Sequence, residues 1–260
     1  MKSQKSNSLF LSLTLVCAFA LTCFSQNSNS TKLKPKPTVI FVHGLWTDGS
    51  AWNKVTALLQ AQGYPVISVQ NSTTSLESDV AATNKAIARA EGDVVLVGHS
   101  YGGMVITEAG NSEKVKALVY ITALMPEKGE SVASLSSKFA GTKVGNYIQN
   151  TGGFLTLSEE GYKLAFADDL SVKDQKLLFS TQPPASENIF AEVAQIEAWK
   201  TKPSYYLVTS SDKALNPDLQ RMLAKRARAF TMEVNASHVP MLSKPEAVFN
   251  IVKEALKKVK

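Results

Sequence analysis

Residues 93–110 read DVVLVGHSYGGMVITEAG, and this stretch decides the fold. Val94, Val95, Leu96 and Val97 form an apolar, β-branched run that reads as a buried strand. Gly98-His99-Ser100-Tyr101-Gly102 follows as a tight turn, and Met104, Val105, Ile106 and Ala109 repeat at helical spacing. Strand, sharp Gly-x-Ser-x-Gly turn and helix is the context of a nucleophile elbow. In that turn the backbone at Ser100 is strained and its hydroxyl is lifted above the sheet edge. A Cβ at position 98 or 102 would collide with a neighbouring strand or helix, so glycine is required there.

The chain around this stretch has 260 residues, 44% of them hydrophobic, which fits one α/β domain with an insertion. Thr38–Val42, Pro65–Val69 and Val115–Ile121 read as further strands. Amphipathic helical patterns lie between them, one around Trp52–Leu59 and one around Leu76–Ala88 behind Ser75 as N-cap. Strand–helix alternation of this kind implies a mostly parallel sheet with helices on both faces and active groups at the C-terminal strand ends. From about residue 125 to 201 the alternation breaks. Short, loosely amphipathic pieces punctuated by Gly141, Gly145, Gly152, Gly153, Pro183 and Pro184 read as a small helical cap inserted after the fourth strand. The α/β pattern resumes with strands at Ser204–Val208 and Ala229–Val234. A final helix is announced by Ser243-Lys244-Pro245-Glu246.

Residues 1–25 have the form of a signal peptide. Lys2 and Lys5 precede an apolar run from Leu9 to Phe24 that is too short for a convincing membrane span. Cleavage is expected near Ser25, with export to a periplasmic or extracellular space and no stable membrane insertion afterwards; acylation at Cys23 is the second reading. Residues 26–37 read as a linker and 38–260 as the single folded domain. Both cysteines, Cys17 and Cys23, fall in the leader, so the mature chain has no disulfide, thiolate metal site or cysteine nucleophile. The formal net charge of +6 drops to about +4 without Lys2 and Lys5. Much of it sits in the C-terminal lysines, and no basic stripe with interleaved aromatics points to nucleic acid.

A serine hydroxyl needs a base. Of three histidines, His99 lies inside the elbow and His43 in a His-Gly turn after the first strand. His238 sits in a loop after the last strand, where it can meet Ser100, and is the base of choice. Asp212, directly after the strand at 204–208, is placed to orient that base; Glu127, after the fourth strand, is the runner-up acid. The backbone N–H groups of Leu45 and Tyr101 are the expected oxyanion donors. Trp46 and Tyr101 are the expected substrate-pocket walls, with Met104, Met125 and Phe139 as weaker candidates. Asp168-Asp169 lacks a nearby histidine or third carboxylate, so it reads as a solvated face and no metal site is expected.

The segments VHGLWTDGSAW, VGHSYGG, SSDKALNPDLQ and SHVPMLSKPEAV resemble the α/β-hydrolase superfamily. They resemble in particular the branch of plant methylesterases, hydroxynitrile lyases and bacterial carboxylesterases such as pyrethroid hydrolases. The resemblance spans nearly all of the chain from Thr38 onward. It implies a Ser-His-Asp triad at Ser100, His238 and Asp212, oxyanion donors at Leu45 and Tyr101, a short cap and no cofactor. The lyases carry a hydroxyl residue at the position of Gly44 and a lysine at that of Val239, so both departures favour hydrolysis of small to medium carboxylic esters. A lyase-like or cofactor-free perhydrolase reaction on the same triad is the alternative chemistry. A non-catalytic binder of small hydrophobic ligands is the alternative outside catalysis.

Overall fold

Buried β-branched runs with no exposed face need a sheet that is covered on both sides. A computed structural model describes residues 35–259, and in it Thr38–Val42 (β1), Val94–His99 (β3) and Ser204–Thr209 (β8) are buried along their whole length. The expected leader and most of the expected linker lie outside the described residues. The first half alternates: β1, Asn53–Ala61 (α1), Val66–Val69 (β2), Leu76–Arg89 (α2), β3, Gly102–Ala109 (α3) and Val115–Ile121 (β4). Ser75 caps α2 as expected, its side chain accepting from the Ser78 N–H at 3.1 Å. An insertion follows, built from Val132–Ser136 (α4), Ile148–Thr151 (β5), Phe154–Leu157 (β6), Glu159–Gly161 (α5), Val172–Thr181 (α6) and Ala185–Ser186 (β7). The chain then returns with β8, Pro217–Arg226 (α7), Phe230–Val234 (β9), Pro240–Ser243 (α8) and Pro245–Lys258 (α9).

The six core strands pair in the order β2-β1-β3-β4-β8-β9, every neighbour parallel. The helices α1 and α9 pack together on one face, α2 and α3 on the other. Because β3 is central, with Val42 of β1 beside Gly98 and Ile121 of β4 beside His99, its C-terminal end is the natural meeting point for neighbouring loops.

Two expectations need correction. The cap is not purely helical: β5, β6 and β7 form an antiparallel three-stranded sheet. The β5–β6 hairpin turns at Gly152 and Gly153, with φ of 61° and 83°, the Gly-Gly signature of a two-residue hairpin turn. Its strands are too exposed to show a buried-strand pattern. At the start of α9, Ser243 does not cap. Its buried hydroxyl has no partner among the described residues, and the helix begins with Pro245 in its first turn.

Candidate active site

The elbow is built by close approach. An added Cβ on Gly102 would stand 2.4 Å from the Val42 carbonyl oxygen, and one on Gly98 would stand 2.6 Å from that of Gly102. Only glycine lets α3 start this close to the sheet. Ser100 has φ of 53°, a left-handed conformation that costs a non-glycine residue on the order of 1 kcal/mol or more. Neighbouring strands offset that cost: the Ser100 N–H donates to the Ile121 carbonyl at 3.3 Å, and its own carbonyl accepts from Leu124 N–H at 3.0 Å.

Ser100, His238 and Asp212 come together from three separate loops. The Ser100 Oγ lies 2.8 Å from His238 Nε2, and His238 Nδ1 lies 2.7 Å from Asp212 Oδ2. Asp212 is buried and densely solvated by protein. Its Oδ1 accepts from the backbone N–H groups of Ala214 and Leu215 at 2.7 and 2.9 Å. Its Oδ2 also accepts from Thr122 Oγ1 at 2.5 Å, Gln220 Nε2 at 3.0 Å and Thr209 Oγ1 at 3.2 Å. Burial pushes this carboxyl up, but the facing His238 and these donors outweigh it and hold it below the usual carboxylate range. Asp212 therefore stays ionised and is the acceptor of the Nδ1–H bond, which leaves the Nε2 lone pair for Ser100. The runner-up acid, Glu127, is elsewhere, paired with Arg226 at 3.4 Å. The end of β4 instead contributes Thr122, whose φ of 40° is a genuine outlier for a β-branched residue and points its hydroxyl at Asp212.

The other two histidines are neutral scaffold. Nε2 of His43 accepts from the Asn71 N–H at 2.9 Å, so the proton is on Nδ1, which donates to the Gly44 carbonyl at 2.8 Å. Fixing that carbonyl fixes the trans peptide it belongs to, and so aims the Leu45 N–H the opposite way. The Leu45 and Tyr101 N–H groups make no hydrogen bond to another group among the described residues, and both residues line the cavity that holds Ser100. A Cβ on Gly44 would sit 2.6 Å from the Ser100 Cβ, so a hydroxyl side chain has no room at that position. His99 Nε2 lies 2.7 Å from the His238 carbonyl and must donate its proton to it.

Burial pushes the pKa of both histidines down, that of His99 most strongly. Their folded values lie below the unfolded value of about 6.5, so the unfolded chain binds the extra protons. The stability they contribute is present above that pH and is lost as pH falls through it. The urea midpoint is expected to fall steadily between pH 7.5 and 5.5, the unfolding free energy dropping by at most about 2.7 kcal/mol per pH unit for two protons. A flat midpoint would contradict two buried neutral imidazoles.

The cavity over Ser100 has a volume of about 290 Å³. Leu45, Trp46 and Tyr101 line it from the core, and Val132, Ile148 and Phe190 from the cap; no Asp, Glu, Lys or Arg among the described residues lines it. Met104 and Met125 are fully buried core residues rather than lining, and Phe139 packs against the core. Trp46 joins the two layers: its indole donates to the Leu155 carbonyl of β6 at 3.1 Å, and its own carbonyl accepts from the Tyr162 hydroxyl at 2.7 Å. Tyr162 and Phe166 lie on a wide π turn, a geometry common at functional sites. Phe166 packs against the His238 ring in a T-shaped arrangement, centroids 5.0 Å apart, and covers the base from the cap side. Sequence reading missed Phe166, Thr122 and Gln220, because their roles depend on long-range contacts.

Comparison with known proteins agrees with this architecture. The chain is 27% identical to methylesterase 1 of Arabidopsis thaliana over 245 residues, covering 82% of this chain and 93% of that one. It is 22% identical to the alpha-hydroxynitrile lyase of the same plant, covering 84% and 96%. The solved pyrethroid hydrolase of Sphingobium faniae JZ-2 superimposes with a TM-score of 0.71 at 23% identity over 85% of this chain and 97% of that one, a likeness of fold. Residues 39–251 match the model of the alpha/beta hydrolase family, and the chain belongs to that family.

Proposed function

We propose that the chain hydrolyses small to medium, uncharged carboxylic esters through an acyl-enzyme on Ser100. The observation that carries this reading is the hydrogen-bonded series Ser100–His238–Asp212 opening into a mainly apolar cavity that no Asp, Glu, Lys or Arg among the described residues lines. His238 Nε2 takes the Ser100 proton as Oγ attacks the ester carbonyl. The Leu45 and Tyr101 amides stabilise the oxyanion, helped by the N-terminal end of α3. His238 then protonates the leaving alkoxide, and water, deprotonated by the same imidazole, releases the acid. The methylesterase relatives support ester chemistry. Cyanohydrin cleavage is disfavoured because Gly44 admits no side chain and Val239, beside the histidine, is buried and apolar.

An apolar wall discriminates by charge, because a carboxylate entering it loses hydration without a partner. Ester hydrolysis is expected for p-nitrophenyl acetate and butyrate, with kcat/KM at least about a hundredfold lower for the p-nitrophenyl monoester of succinate. Equal rates on butyrate and succinate monoester would contradict the apolar-pocket reading. We also infer, from the basic and apolar leader, that the protein acts outside the cytoplasm; fractionation of the native host tests this.

A further inference from the structure

Asp168-Asp169 belongs to the cap, yet both side chains reach core loops that carry the triad. Asp169, exposed at its outer edge, accepts two hydrogen bonds from Ser237: the backbone N–H at 2.9 Å and the Oγ at 2.5 Å. Ser237 immediately precedes His238 and is only 2% exposed. Asp168 ion-pairs with Lys213, the residue after Asp212. Two consecutive cap residues therefore hold the base loop and the acid loop, so the pair is not simply the solvated face expected from sequence. From the other side, His99 pins the His238 carbonyl. The base loop is clamped between the sheet below and the cap above.

We propose that Asp169 is a positioning residue: from the cap it fixes Ser237 so that His238 Nε2 stays within reach of Ser100, which makes the base's geometry depend on a seated cap. The proposal rests on the Ser100–His238 reading above. His238 sits on a loop with no strand ladder to hold it, and an error of about 1 Å at a catalytic group costs on the order of a hundredfold in rate. Removing the Asp169 carboxylate leaves two donors of a buried serine without an acceptor. The segment relieves this by shifting toward water, and His238 shifts with it. An asparagine at 169 keeps the contact: its Oδ1 accepts from the Ser237 N–H and its Nδ2 donates to Oγ. Position and charge can thus be separated.

The test compares wild type, Asp169→Ala, Asp169→Asn and Ser237→Ala. One measurement is kcat and KM on p-nitrophenyl butyrate per fluorophosphonate-titrated serine. The other is the NMR signal of the His238 Nδ1 proton in its bond to Asp212. The expected result for Asp169→Ala is kcat about tenfold down with KM within about twofold, and a broadened Nδ1 signal. Asp169→Asn is expected within about threefold of wild type, with the signal kept. Wild-type kcat and signal in Asp169→Ala, or equal impairment of Ala and Asn, would overturn the proposal. If Asp169→Ala does not fold, Ser237→Ala decides by the same criteria, with loss of kcat at unchanged KM expected. If wild type cleaves no ester, the functional reading fails, and the Nδ1 signal in Asp169→Ala alone decides the tether: broadening supports it and an unchanged signal overturns it.

Discussion

Replacing Ser100 by alanine is expected to lower kcat/KM for p-nitrophenyl butyrate by at least about 10⁴-fold, leaving only what the oxyanion donors and binding supply. The change removes one oxygen and nothing else. Ser100 holds its conformation, φ of 53°, through backbone bonds to Ile121 and Leu124 and through the tight contacts of Gly98 and Gly102, none of which uses Oγ. The fold and the cavity are therefore expected to survive, with a melting temperature close to wild type and substrate still able to bind. A large loss of kcat in a protein of unchanged stability separates a chemical role for Ser100 from a structural one. An equal catalysed rate in both proteins would contradict a chemical role for Ser100, and no rate above background in the wild type would leave the non-catalytic binding reading standing.

Asp212→Asn is expected to cost about 10³–10⁴-fold in kcat, by the wrong tautomer rather than by a lost contact. The side-chain oxygen of the new asparagine is drawn to the Oδ1 position, where two backbone N–H groups, from Ala214 and Leu215, need an acceptor. Its NH2 then takes the Oδ2 position and faces His238 Nδ1. The imidazole answers by turning a lone pair to that donor, which places its proton on Nε2, aimed at Ser100 with no base left. The NH2 also opposes Gln220 Nε2 and the Thr122 hydroxyl, which donate to Oδ2 in the wild type. Some stability is lost as well, because these donors are buried and lose their acceptor. Kinetics and urea midpoints of wild type and Asp212→Asn check both statements.

The elbow was readable because its determinants are local. Gly98, Ser100 and Gly102 are close in sequence, and the apolar run before them is buried on both faces. The core strands were readable for the same reason, within a residue or so at each end. The choice of acid was harder, since Asp212 and Glu127 both follow strands. What distinguishes them in space is the ring of donors around Asp212, drawn from Thr122, Thr209 and Gln220, and no spacing rule announces it. The cap is the least legible part of the chain. Its strands are exposed, its helical turns are short, and several of its contacts run from one side chain to one distant backbone group, as from Tyr162 to Trp46. Only Gly152-Gly153 carries a local signal, that of a tight hairpin, and in sequence such a pair reads equally as loop punctuation. The importance of Asp168-Asp169 was hidden because their partners, Lys213 and Ser237, lie far along the chain.

In the proposed mechanism Ser100 carries the acyl group between two half-reactions. Rapid acid quench of the enzyme during turnover of p-nitrophenyl butyrate, followed by peptide mass spectrometry, tests it directly. A butyryl adduct is expected on the peptide containing Ser100, appearing with a burst of p-nitrophenol and absent from Ser100→Ala. Turnover with no adduct, or an adduct on another residue that persists in Ser100→Ala, would contradict it.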